Sequence, residues 1–264
     1  MQRVTNPYME LVEDLRANGP KSSTTTPETP KQGENLKECG LDTYDCPVCN
    51  NTGEILYEKN GMWYGRECEC MNRRRSIRRI TTSGMTDLLD RYTFSNYETP
   101  DENRAVIKAR AMAYCEDKTG WFYFGGRSGS GKTHLCTAIC GELIRVGMNV
   151  RYVLWKDMSV QAKASMTDSD AYERIIEPLK KIQVLYIDDL FKVGKGAEPT
   201  QGDVNLAFEI LNARYNDRRK MTIISTELPI EDVLSLDEAL GSRIYERAKG
   251  NILSAPDENW RMRN

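Results

Sequence analysis

The alternation of apolar and polar positions divides the chain into three stretches. In the first, Tyr8, Leu11, Val12 and Leu15 recur at helical spacing, predicting a short amphipathic helix over 7–17 that stops at Gly19-Pro20. The run over 21–30 that follows has almost no large apolar side chain and cannot bury enough surface to fold, so 1–36 reads as a helix on a flexible linker. In the second stretch, 53–57 and 62–64 read as two short strands around Asn60-Gly61, a strong hairpin signal. Beyond Ser83-Gly84 the apolar runs lengthen and alternate with helical periodicity. A helix over about 102–117 precedes a strand at 121–124, and Leu135, Ile139 and Leu143 mark a helix ending at Gly147. Strands at 149–154 and 182–187 flank two helical stretches parted at 167–169, and a helix over 203–218 leads to a strand at 221–224. Strands this apolar, alternating with helices, predict an α/β fold, a parallel sheet flanked by helices on both faces.

Length refines this picture. A chain of 264 residues holds one full domain and a smaller appendage, with expected boundaries at 37–72 for a cysteine-rich module, 73–90 for a basic helical connector and 91–264 for the large domain. Charge is nearly balanced, 37 Lys and Arg against 39 Asp and Glu, so any surface for nucleic acid must be local. The segment 73–79 holds five arginines in seven residues; it is read equally well as a grip on phosphates or as a solvated connector. No stretch approaches the ~20 apolar residues of a membrane span, and the N-terminus lacks a signal-peptide pattern, which argues for a cytoplasmic protein without a membrane partner.

Chemistry concentrates in three places. The strand at 121–124 runs into Gly126-Arg127-Ser128-Gly129-Ser130-Gly131-Lys132-Thr133, which satisfies G-x-x-x-x-G-K-[ST] and opens a helix. Backbone N–H groups, the Lys132 ammonium and a helix N-terminus converge there on one anion, and the anion that fits is a nucleoside triphosphate. The glycines let the backbone approach the phosphates, Lys132 reaches the outer ones, and the Thr133 hydroxyl ligates Mg²⁺. His134, the one histidine, extends this run; it is read as a packing or solvent-facing ring, not a nucleophile or a metal ligand. Asp188 and Asp189 follow the apolar strand directly, where open α/β sheets bind ligands. Asp188 is assigned to Mg²⁺ and Asp189 to the attacking water. The third place is Cys46-x-x-Cys49, an eighteen-residue excursion and Cys68-x-Cys70. A C-x-x-C knuckle, a hairpin and a second pair predict a zinc-ribbon-like site of four thiolates, structural because no coordination position stays open. Cys39 is an alternative ligand, since the C-x-C pair has a narrow bite.

Five motifs in order, GRSGSGKTHLC, VLYIDDL, FEILNARYNDRR, TIISTELP and GSRIYERA, make the chain from about Arg91 onward, roughly two thirds of it, resemble the AAA+ ATPases of the DnaC/DnaI helicase-loader and IstB type. The cysteine cluster resembles the zinc-binding N-terminal module of DnaI-like and phage-encoded loaders. The resemblance implies an AAA+ P-loop ATPase using ATP and Mg²⁺, with Walker A at 126–133 and Walker B at Asp188 and Asp189. It implies an arginine finger at Arg243 acting in trans between subunits, and it matches Arg214 to a recurrent arginine of the preceding helix. Loaders carry Asn where Glu227 stands, so Thr226 is the candidate first sensor, and Arg261 resembles a second sensor. No room is left for a full helical lid, and the segment 157–181 lies where such proteins insert a helix facing single-stranded DNA. The implied partners are a replicative helicase hexamer, single-stranded DNA and further copies of the chain. Two rival readings stand beside this one: an IstB-like transposition helper, which the cysteine module disfavours, and a small-molecule phosphotransferase, which the motif order disfavours.

Overall fold

Five strands form the frame of the larger unit, the three central ones almost wholly buried. The computed structural model describes residues 46–194 and 197–256, and of 72, 73, 76, 77, 79 and 80 the backbone alone. The expected helix at 7–17, the linker, Cys39 and Arg261 lie outside the described residues. The chain divides into two units, Met1–Thr81 and Thr82–Asn264.

In the first unit, β1 (Glu54–Lys59) and β2 (Met62–Glu67) pair antiparallel, Lys59 opposite Met62. Asn60 and Gly61 supply the two positive φ values, 56° and 76°, that such a tight turn requires. Helix α1 (Cys70–Ser83) follows at once.

The second unit continues with α2 (Thr86–Leu89) and α3 (Glu102–Asp117). Then come β3 (Trp121–Gly125), α4 (Lys132–Arg145), β4 (Val150–Leu154), α5 (Trp155–Ala164), α6 (Ser169–Lys181) and β5 (Val184–Leu190). The order closes with α7 (Gln201–Tyr215), β6 (Met221–Thr226), α8 (Ile230–Leu236), α9 (Glu238–Arg247) and β7 (Ile252–Ser254). The sheet order is β4-β5-β6-β3-β7, and every adjacent pair is parallel. Every residue of β3 and β6 is buried, as a sheet covered on both faces requires.

Local chemistry fixes the helix ends. The helix expected over 203–218 begins earlier because Thr200 and Asp203 form a reciprocal capping box. Between β4 and β5 stand two helices where one crossover would suffice, and Asp168 starts the second by accepting from the Ala171 N–H at 3.0 Å. Strand β7 was not expected from the sequence; its three residues are too few to show a period, and pairing with β3 defines it. The parallel sheet brings the C-terminal ends of β3, β5 and β6 to one edge, and the phosphate loop leaves β3 there.

Candidate functional site

The loop after β3 wraps tightly because of its glycines. Gly126 has φ of +135°, and a Cβ there would stand 2.8 Å from the Ala255 Cβ; Gly131 has φ of +94°, with the Tyr97 ring edge 3.3 Å from where its Cβ would be. Inside the loop the buried Lys132 ammonium donates to the carbonyls of Gly126 at 2.6 Å and Arg127 at 2.8 Å. Burial pushes its pKa down, against the charge of Asp189, which raises it. Ser130 is buried and donates to the Arg127 carbonyl at 2.7 Å, while Arg127 and Ser128 are exposed. A cleft of about 270 Å³ opens here, lined by Ser128, Gly129, Gly131, Lys132, Thr133, His134, Tyr92, Asp189 and Lys192.

Asp188 is a buried carboxylate held by hydroxyls. Its Oδ1 accepts from Thr133 at 3.1 Å, from Tyr186 at 2.7 Å and from Ser225, and its Oδ2 accepts from Tyr152 at 3.2 Å. Burial, and then the charge of Asp188, raise both phenols, so they remain donors. The structure thus joins Thr133 to Asp188, the two residues assigned to Mg²⁺. A hydroxyl and a carboxylate oxygen at the mouth of a phosphate loop are the hard donors that ion takes.

Strand β5 does not stop at Ile187 as the apolar run suggested. Its register against β6 shifts between Ile187 and Leu190, and Asp189 and Phe191 adopt φ of 56° and 62°, uncommon for residues with a Cβ. Three contacts stabilise this bulge: the Asp189 N–H donates to Ser225 Oγ at 3.0 Å, the Thr226 hydroxyl donates to the Leu190 carbonyl at 2.7 Å, and Phe191 packs edge-on against Trp155 at 5.5 Å. The irregularity places Asp189 at the cleft while Asp188 stays beneath it. Burial, then the Asp188 charge, raise the pKa of Asp189, so it keeps its proton to higher pH than an ordinary aspartate. Lys192 opposes this from 3.5 Å and also pairs with Glu227.

Thr226 is fully buried with its hydroxyl on that backbone carbonyl, and it is absent from the residues lining the cleft. Arg243 is not among them either. Its guanidinium donates to Asn212 Oδ1 at 3.0 Å and the Ala239 carbonyl at 2.6 Å, over the rings of Phe208 and Tyr215. His134 is wedged between the rings of Tyr92 and Tyr97, with Nε2 2.9 Å from the Thr93 carbonyl and 2.8 Å from Asn96 Oδ1. Sequence reasoning missed Tyr92, Tyr152, Tyr186, Lys192 and Ser225. Of these only Ser225 carried a signal, as a hydroxyl at the end of β6.

In the first unit, Cys46, Cys49, Cys68 and Cys70 are buried with all four Sγ atoms within 4.8 Å of one another. The Cys46–Cys68 and Cys49–Cys70 separations are 3.8 and 3.5 Å. Four sulfurs around Zn²⁺ at ~2.3 Å form a tetrahedron with edges of about 3.8 Å, so the cluster fits that ion. Behind it, Asn51 Oδ1 accepts from the Cys46 N–H at 2.8 Å and from Arg74 at 2.7 Å, tying the knuckle to α1. About one zinc per chain is the expected elemental analysis, and Cys46→Ser/Cys49→Ser is expected to lose the metal and the β1–β2 hairpin while nucleotide affinity stays within about twofold. Full metal content in that variant would contradict the assignment.

A phosphate loop on the edge of a five-stranded parallel sheet, with an acidic strand end beside it, defines a nucleotide-binding domain of the AAA+ architecture. The chain belongs to the family of IstB-like ATP binding proteins, which it matches over residues 61–264. It is 31% identical over 220 residues to the phage-like element PBSX protein XkdC of Bacillus subtilis (strain 168), covering 79% of this chain and 81% of that one. It is 28% identical over 193 residues to the replicative helicase loader DnaC of Escherichia coli (strain K12), covering 71% and 74%. A crystal structure of the DnaC helicase loader shares the fold, with a TM-score of 0.54 at 22% identity, covering 62% of this chain and 96% of that one. Among the described residues no helix is long and apolar enough to cross a membrane.

Proposed function

We propose that this protein is a cytoplasmic ATP-dependent loader of phage or prophage type, which binds a replicative DNA helicase hexamer and delivers it to single-stranded DNA. The observation that supports this most is the presence in one chain of an ATP-binding AAA+ unit and a four-thiolate module with no place in nucleotide chemistry. In this reading Lys132 grips the outer phosphates, and Thr133 and Asp188 hold Mg²⁺, which would supply charge neutralisation. Asp189 takes the proton of the attacking water, a role that requires it ionised. Its raised pKa means that this capacity is lost, as pH falls, sooner than for an ordinary aspartate. Helices α5 and α6 face the DNA, and the first unit meets the helicase.

ATP-bound copies assemble side by side, and Arg243 leaves its contacts with Asn212 and Ala239 to reach a neighbour's γ-phosphate. Arg243→Ala is therefore expected to keep ATP affinity and lose at least 100-fold in assembly-dependent hydrolysis. Mixing it with Lys132→Ala protomers restores turnover, since each supplies what the other lacks. A mixture no more active than its components contradicts the trans role.

The loader reading is tested by capturing a replicative helicase with the wild-type chain and with Cys46→Ser/Cys49→Ser. Retention by the first and loss by the second are expected. The family match also suits an IstB-like transposition helper, for which the chain would instead retain a transposase and duplex DNA.

A further inference from the structure

The β1–β2 hairpin sorts its side chains by charge. Its register sets Ile55 opposite Arg66, Tyr57 opposite Tyr64 and Lys59 opposite Met62, so these six share one face. Glu54, Glu58 and Glu67 all fall on the other face, with Trp63. The first face thus carries two cations and no carboxylate.

At the root of that face Ile55 packs against the cysteine cluster. Further out, Tyr57 and Tyr64 stack with centroids 5.8 Å apart and planes 25° from parallel, yet they remain 43% and 40% exposed. Lys59 lies two positions beyond Tyr57 toward the tip, and Arg66 two beyond Tyr64 toward the root, each about 7 Å along its strand. Among the described residues neither cation has an ion-pair partner, whereas Glu67 on the far face is held by Arg75 at 2.5 Å.

We propose that this face binds single-stranded nucleic acid, with bases stacking on Tyr57 and Tyr64 and the phosphate backbone passing Lys59 and Arg66. Every base offers a π-face to such a platform, so recognition is tolerant of sequence. Charge complementarity favours this occupant over a protein: all three carboxylates of the hairpin lie on the opposite face, so no acidic side chain of the hairpin itself repels a polyanion here. The hairpin ladder and the cysteine cluster behind Ile55 hold the two rings in place, so little order has to be imposed on binding. The site goes beyond the loader reading, which places DNA on the second unit, and it stands independently of the helicase.

The experiment uses the full chain and a 20-nucleotide oligothymidylate bearing 5-iodouracil. Photocrosslinking with peptide mapping is expected to place the adduct on Tyr57 or Tyr64. In anisotropy titrations Tyr57→Ala/Tyr64→Ala should weaken binding at least tenfold. Lys59→Gln/Arg66→Gln should reduce the slope of log affinity against log salt by about 1.4, two phosphates at ~0.7 each. All four substituted side chains are exposed, so circular dichroism and nucleotide affinity should match the wild type. Adducts confined to 82–264, or binding by both variants within twofold of wild type, would overturn the site. So would loss of helicase capture with oligonucleotide affinity unchanged, which makes the face a protein dock. Failure of the wild type to capture a helicase strikes the loader reading alone.

Discussion

Lys132→Ala is expected to abolish nucleotide binding, with affinity for a fluorescent ATP analogue reduced at least ~100-fold. The ammonium is buried, aimed into the loop by two carbonyls at 2.6 and 2.8 Å, and it lines the cleft with Thr133 and Asp189. A phosphate entering there meets a charge already largely withdrawn from water, the arrangement in which a charge-assisted hydrogen bond is strong. Alanine removes the charge and leaves Asp189 and Glu227 without the nearest cation but Lys192, so incoming phosphates meet net repulsion. The fold should survive, because Lys132 closes no core contact beyond the two loop carbonyls. Binding within threefold of wild type would show that the phosphates lie elsewhere.

Arg214→Met is expected to have the largest effect on stability. The guanidinium is fully buried and all five of its N–H donors are used: on Thr222 Oγ1 at 3.0 Å and on the carbonyls of Leu179, Ile182, Gln183 and Met221 at 2.6 to 3.4 Å. These groups belong to the end of α6, the start of β5 and the start of β6, so one side chain ties three elements together at the sheet edge away from the cleft. Burial pushes its pKa down, and the carbonyl dipoles offset that cost without a carboxylate. Methionine fills much of the volume but removes the guanidinium donors from these carbonyls, of which Gln183 keeps the Met221 N–H at 3.0 Å, a loss of about 3–5 kcal/mol, or roughly 10 °C in the unfolding temperature of the second unit. A shift below about 2 °C would show that water satisfies those carbonyls.

The two predictions differ in how far the sequence announces them. Lys132 was legible because a phosphate loop is a contiguous motif, and the alternation of apolar strands with helices gave the parallel sheet. The four cysteines were legible as two closely spaced pairs around a hairpin turn. Arg214 was not legible as a buried group, since an arginine on a helix ordinarily stays in water and only the closure of β5, β6 and α6 supplies its acceptors. The hydroxyl shell of Asp188 was hidden for a related reason: Tyr152, Tyr186 and Ser225 come from three strands, and sheet register, not spacing, brings them to one carboxylate. The positive φ values at Asp189 and Phe191 carry no glycine to mark them. Thr226 and Glu227 were legible as polar groups at a strand end, but which carbonyl or cation each would meet depended on that same bulge.

In the proposed function, ATP bound at this cleft controls delivery of a helicase by this chain. That control is tested most directly by incubating the wild-type chain with a replicative helicase hexamer, ATP and single-stranded DNA circles, then isolating the circles and measuring the helicase they carry. Helicase is expected on the circles with the wild-type chain and ATP, and only background levels with Lys132→Ala. Equal helicase recovery with the wild type, with Lys132→Ala and without either would contradict that control.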